Sequence, residues 1–70
     1  MSIYKQVGSR IQKERKKAGL TKQQLARTAD IQLSYLELIE CGQKKINLST
    51  LERIAVGLNS PVSYLLDPHN

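Results

Sequence analysis

The sequence predicts a compact all-α domain, a bundle of five short helices. Apolar residues recur at helical spacing along most of the chain, as in the run from Leu48 to Leu58. Residues that start and stop helices follow one another closely, for example Thr21 and Gly42. No stretch alternates apolar and polar residues as a half-buried strand does. At 70 residues we expect a single domain over residues 1–70, with a marginal core.

The first helix is predicted over residues 4–18. One face of this helix carries residues at helical spacing, namely Val7, Ile11, Arg15 and Ala18. Gly19 is expected to end the helix, because glycine readily adopts the left-handed conformation that follows a helix. Leu20 should then fold back against the domain.

A helix-turn-helix pattern is predicted over about residues 21–42. Its helices span roughly residues 22–28 and 33–41. Thr21 can cap the first of them, and Gln24 can complete a capping box. Asp30 suits the turn, and Gly42 suits the end of the second helix. The residues expected to face inward are Leu25, Ala26, Ala29, Ile31, Leu36 and Ile39.

Two C-terminal helices are predicted within about residues 47–66. Asn47 can cap the fourth helix and Asn59 can end it, while Gly57 weakens it by roughly 1 kcal/mol relative to alanine. The apolar stripe of this helix is Leu48, Leu51, Ile54, Ala55 and Leu58. Ser60–Pro61 can open a last short helix. The apolar anchors of that helix are Val62, Leu65 and Leu66, and a polar tail follows over residues 67–70.

The basic charge balance fits a polyanionic partner, although many soluble proteins are basic without one. The formal net charge is +5, and seven of the eleven basic residues lie in the first 22 positions. These seven are Lys5, Arg10, Lys13, Arg15, Lys16, Lys17 and Lys22. No apolar run approaches the roughly 18 residues of a membrane span, and the N-terminus lacks a signal peptide's apolar core. We therefore expect a cytoplasmic protein without a membrane partner.

Chemistry of other kinds has little support in the sequence. The single Cys41 excludes an internal disulfide and a multi-cysteine zinc site, and His69 is the only histidine. There is no nucleophile–base pair, no carboxylate dyad and no phosphate-cradling glycine-rich loop. We expect neither an enzyme nor a chain that holds a metal, a cofactor or a small-molecule ligand. Cys41 is interpreted as a small residue at a helix end.

Four segments together resemble one known family. They read VGSRIQKERKKAGLTKQQLA, SYLELIECG, INLSTLERIAVGL and SPVSYLL. Over about residues 7–66 the chain resembles the phage repressor and Cro-like, or XRE-type, helix-turn-helix domains. The resemblance implies the lambda-repressor-like fold. It also implies that the third helix enters the major groove of operator DNA, usually in a two-fold dimer that regulates transcription.

The resemblance also implies site residues on the third helix. The positions that match base-reading sites are Gln32, Leu33, Ser34, Glu37 and Leu38. Glutamine can bond adenine, serine several base edges and glutamate the cytosine amino group. Alternatively, Gln32 only begins the helix, and Leu33 and Leu38 cover the core or an interface. Unlike many relatives, this helix has no basic residue. Glu37 therefore either reads cytosine or is neutralised by an arginine, or the chain binds DNA weakly or differently.

Phosphate contacts are implied on both sides of that helix. The matching positions are Lys22, Gln23, Lys44 and Lys45, with Tyr35 offering its hydroxyl. Arg10 and Lys13 are weaker candidates for phosphate contact, and Lys16 and Lys17 are interpreted as solubilising charges. The alternative for the lysines is a solvated surface, and for Tyr35 it is packing alone.

Two further pairs of residues receive roles from the resemblance. Arg15 and Glu40 match positions that form a salt bridge between helices 1 and 3. Tyr64 and Leu66 match positions at which family members dimerise, whereas Val62 and Leu65 can pack within the monomer.

The resulting functional prediction is a sequence-specific double-stranded DNA-binding regulator. It would act as a homodimer on a palindromic operator, as a repressor or an autoregulatory controller. The alternative is a protein-interaction module on the same fold, either an antitoxin-like partner or an antagonist of another helix-turn-helix regulator. The acidic, leucine-bearing third helix favours this alternative.

Overall fold

The computed structural model describes residues 2–66. These residues form five α-helices joined by short connections, and no strand. The helices are α1 Ile3–Lys17, α2 Lys22–Ala29, α3 Leu33–Glu40, α4 Leu48–Leu58 and α5 Val62–Leu66. The predicted all-α fold is confirmed, and the ends given above for the first three helices are correct to within one residue. The predicted polar tail at residues 67–70, with His69, lies outside the described residues.

The four longer helices end in the same hydrogen-bonded turn. After each of them, at a position predicted to end the helix or turn the chain, one residue adopts a left-handed conformation with φ between 55° and 75°. The four residues are Gly19, Asp30, Gly42 and Asn59. The next amide then donates to a carbonyl five residues back, as from Ile31 to Ala26 at 2.9 Å. Each helix therefore stops at a point set by its own sequence, which keeps the connections short.

Side chains also mark where the helices begin. The Thr21 hydroxyl accepts from the Gln24 amide at 3.0 Å, and the Gln24 side chain accepts from the Thr21 amide at 2.9 Å. The Asn47 side chain accepts from the Thr50 amide at 2.8 Å. Both caps are as predicted, whereas the Ser2 cap of α1 was missed. These bonds satisfy helix-start amides that would otherwise lack partners.

The core lies where α1, α3 and α5 meet the packed pair of α2 and α4. Its buried apolar residues are Val7, Ile11, Leu25, Ala26, Ala29, Leu36, Ile39, Leu51, Ile54, Ala55, Leu58 and Leu65. Two residues of the predicted apolar stripes, Ala18 and Leu48, are exposed, so their inward placement is wrong. Leu66 is also exposed, so it does not anchor α5 in the core, and its predicted place in a dimer stays a prediction. Ala18 is the C-cap residue of α1 and lies at the end of that helix, beyond its last buried residue, Arg15. Leu48 and Leu66 occupy the outermost positions of their short helices.

Close backbone approach explains two glycines inside helices. A Cβ on Gly8 would clash with the carbonyl oxygen of Ile39 and would lie 2.9 Å from that of Glu40, so α1 crosses the last turn of α3 at this point. A Cβ on Gly57 would lie 3.1 Å from side-chain atoms of Leu25 and Thr28. The helix propensity lost at these glycines is therefore the cost of bringing helices close together.

We predict that Gly8→Ala destabilises the fold by about 1–3 kcal/mol, because the added methyl group would push α3 away from α1. The comparison is Ser9→Ala, at an exposed position of the same helix, where the expected change is close to zero. Urea denaturation followed by circular dichroism measures both. A Gly8→Ala chain as stable as the wild type would show that the backbone contact is easily relaxed.

Candidate nucleic-acid interface

One side of α3 is turned to solvent. Gln32 precedes the helix as its N-cap residue, without a side-chain capping bond, and its side chain is exposed. Ser34 and Glu37 are exposed, and Leu38 is 40 % exposed. Leu33 is half-buried. Four of the five residues expected to read bases are therefore accessible, and Leu33 is partly covered.

The other side of α3 holds the helix to the domain. Leu36 and Ile39 are fully buried, and Glu40 is buried beside them. Tyr35 is half-buried and packs against the core, which is the packing alternative for this residue. Because α3 has only eight residues, its position depends on this packing rather than on its own helical stability.

Basic residues flank α3 without belonging to it. Lys22 and Gln23 occupy the first turn of α2, where the helix dipole favours an anion. The capping box engages the amides of Thr21 and Gln24 rather than those of these two residues. Lys44 and Lys45 are exposed in the loop between α3 and α4. The positive charge of this surface therefore comes from neighbouring segments.

Glu37 has a cationic neighbour. Its Oε2 lies 4.0 Å from Nζ of Lys22, across an open crevice of about 440 Å³ that Leu33 also lines. The sequence predicts that Glu37 contacts cytosine or pairs with an arginine, or that the chain departs from the family's usual DNA binding. The cation is instead a lysine from the preceding helix, because the turn after α2 brings the start of α2 beside the middle of α3.

Arg15 and Glu40 form a buried ion pair between α1 and α3. The Arg15 Nε donates to Oε2 of Glu40 at 2.8 Å, and Nη2 donates to Oε1 at 3.3 Å. The two side chains are only 7 % and 3 % exposed. A third bond runs from Nη1 of Arg15 to the Leu20 carbonyl at 2.9 Å. One side chain thus joins α1, the connection to α2 and the end of α3, as the resemblance implies for this pair.

Arg10 is the residue whose expected place is wrong. It was a weak candidate for phosphate contact, yet it is buried, and its Nη1 donates to the Tyr64 carbonyl at 3.1 Å. Its guanidinium also lies 4.3 Å from the centre of the Tyr64 ring. Arg10 therefore connects α1 to α5. Its spacing, three residues after Val7, places it at the edge of the buried stripe of α1, whereas Lys13 and Lys16 lie on the opposite side of the helix.

Other kinds of site are not found in the described part of the chain. Residues 2–66 bring together no group of three or more histidine, cysteine or acidic side chains that could hold a metal ion. Within the same range no helix is long and apolar enough to cross a membrane.

The family is decided by a comparison with protein-family models. Residues 11–65 match the model described as helix-turn-helix. The chain belongs to the XRE-type helix-turn-helix family. No curated protein sequence matches this member of the family significantly.

Solved structures share the fold of this helix-turn-helix chain. The restriction-modification controller protein C.AhdI from Aeromonas hydrophila is 26 % identical, with a TM-score of 0.86 over 89 % of this chain and 94 % of that one. Two structures of the clp gene regulator ClgR from Corynebacterium glutamicum are each 23 % identical over 94 % of this chain. The two matches cover 86 % and 70 % of the respective ClgR chains, with TM-scores of 0.90 and 0.92. The helix-turn-helix chain is a DNA-binding transcriptional regulator.

We predict that Glu40→Ala destabilises the domain by about 3–5 kcal/mol, because it leaves the Arg15 guanidinium buried without its carboxylate. Urea denaturation measures the loss. The control is Glu52→Ala, which removes the same charge from an exposed position of α4 and should change stability by less than about 0.5 kcal/mol. Equal losses of stability for the two substitutions would mean that the buried ion pair contributes no more to stability than an exposed charge does.

Proposed function

We propose that this chain binds double-stranded operator DNA as a homodimer, with α3 in the major groove. The observation that carries this proposal is the outward half of α3, which exposes Gln32, Ser34 and Glu37 between two basic segments. A helix with an exposed polar side fits the width of the major groove, and flanking cations suit the phosphates on either side.

Base reading is assigned to five positions on or before α3. Gln32 would bond adenine, Ser34 a base edge and Glu37 the amino group of cytosine. Leu33 and Leu38 would contact thymine methyl groups. The exposure of Leu38 supports this role, since an exposed leucine can cover a methyl group without polar competition.

Phosphate contact is assigned to the flanking residues. Lys22 and Gln23 would bind a phosphate at the start of α2, and Lys44 and Lys45 would bind one beyond the end of α3. Tyr35 would add its hydroxyl while its ring stays packed. These contacts would position α3 and supply most of the affinity that does not depend on sequence.

The dimer is assigned to α5. Leu66 is 41 % exposed, and Tyr64 is half-buried beneath the Arg10 guanidinium. An exposed leucine beside a ring already held in place is suited to contact with a second copy. A two-fold dimer would place two α3 helices on successive turns of a palindromic site.

Regulation is assigned as repression or autoregulatory control. C.AhdI, which is 26 % identical to this chain, is a restriction-modification controller protein. A chain of this kind would set its own level through the arrangement of its operators.

A protein-interaction module is the second candidate function. The features that favour it are the exposed Leu38 and the lack of any lysine or arginine in α3. In that case the outward side of α3 would bind another protein. Absence of duplex binding even at low salt would decide for this candidate.

The experiment that tests the main proposal selects the duplexes that the chain binds from a random pool and measures the molecular mass of the complexes. We expect a palindromic consensus bound by two copies of the chain. Gln32→Ala should relax one position in each half-site, because one bidentate contact is lost. A non-palindromic consensus held by one copy would contradict the dimer.

The dimer surface is tested with Leu66→Glu, which should lower the fraction of dimer in sedimentation equilibrium and weaken operator binding. The matched control is Val56→Glu, which places the same charge on α4 at a residue that is 79 % exposed. Dissociation by Val56→Glu instead would move the interface from α5 to α4.

Phosphate contact is tested with the double variant Lys44→Gln and Lys45→Gln. We expect weaker binding to all duplexes alike. The slope of the logarithm of the binding constant against the logarithm of the salt concentration should become shallower by about 1.8, or about 0.9 for each lost phosphate contact. The control pair is Lys16→Gln and Lys17→Gln, exposed at the end of α1, which should leave the slope nearly unchanged. Equal slopes for the two double variants would contradict the assignment.

A further inference from the structure

Lys22 has two anions within its reach. The carboxylate of Glu37 lies 4.0 Å from its ammonium group, and the start of α2 is the site assigned above to a DNA phosphate. The two side chains are 42 % and 49 % exposed, so both remain free to move toward DNA. One ammonium group cannot neutralise both anions fully.

Whether Lys22 is paired with Glu37 decides how much this lysine contributes to DNA binding. A lysine that binds a phosphate releases about one counterion, which appears as a steeper salt dependence. A lysine already paired with a carboxylate contributes less, because the pair has no net charge. The pair is also close enough to solvent to open at little cost. Its state can therefore depend on what DNA offers to Glu37.

We propose that Glu37 is a specificity-determining residue that competes with DNA phosphates for Lys22. This inference rests on the proposed function. On a random duplex Glu37 stays paired with Lys22, and Lys22 then contributes less to DNA affinity. Where a cytosine amino group faces α3, Glu37 gains another donor, and Lys22 is released to the phosphate. The acidic residue thus penalises binding to the wrong sequence.

The test is a double-mutant cycle of Glu37→Gln and Lys22→Gln, measured on a random-sequence duplex over a series of salt concentrations. Glu37→Gln should raise affinity by about twofold to fivefold, the range that corresponds to an exposed ion pair. Lys22→Gln should flatten the salt slope by about 0.9 more in the Glu37→Gln background than in the wild type. The ratio of operator affinity to random-duplex affinity should fall in Glu37→Gln.

The control for overall charge is Glu52→Gln on α4, which changes net charge by the same amount and should alter neither the slope nor the ratio. Both positions of the cycle carry exposed or half-buried side chains, and a circular dichroism melt of each variant verifies folding. The inference is overturned if Lys22→Gln has the same effect in both backgrounds, because Glu37 would then repel phosphates without acting through Lys22.

Failure of the inference and failure of the proposed function give different results. If no variant binds any duplex at low salt, the proposed function fails and the inference fails with it. If the duplex is bound with a slope that depends on Lys44 and Lys45, but without coupling between Lys22 and Glu37, only the inference fails.

Discussion

The buried ion pair between Arg15 and Glu40 is the interaction on which the presentation of α3 depends. Three hydrogen bonds from one guanidinium connect α1, the Leu20 carbonyl and the last residue of α3. A helix of eight residues has little stability of its own, so its direction is set by what holds its inner side. Removing one partner would leave a buried charge, which costs far more than the loss of an exposed pair.

Close backbone contact makes this ion pair possible. Gly8 brings α1 against the carbonyl groups of Ile39 and Glu40, about two turns along α1 from Arg15. The two features act together, because the glycine sets the distance between α1 and α3 and the ion pair sets their relative position along the helices. Any bulk at Gly8 would therefore disturb the outward side of α3 without touching it.

On the surface proposed to face DNA, the basic residues and the residues of α3 would have different roles. Positive charge lies beside α3, at Lys22 and in the loop that carries Lys44 and Lys45, where it can act on phosphates of any sequence. The exposed part of α3 itself offers uncharged polar groups, leucines and Glu37. In the proposed DNA complex such an arrangement would keep sequence-independent affinity modest, so that the side chains on α3 would decide where the protein binds.

The sequence by itself determined the helices and their ends, because Thr21, Asp30, Gly42, Asn47 and Asn59 act through hydrogen bonds to residues only a few positions away. It also indicated the core stripes, which follow from helical periodicity. Only the tertiary structure decided the partner of Arg10, since helical spacing places it beside the apolar stripe of α1 but does not record that α5 packs there. The same holds for the close contact at Gly8 and the pairing of Lys22 with Glu37. Contacts between different helices depend on how the helices cross, and no local pattern records that.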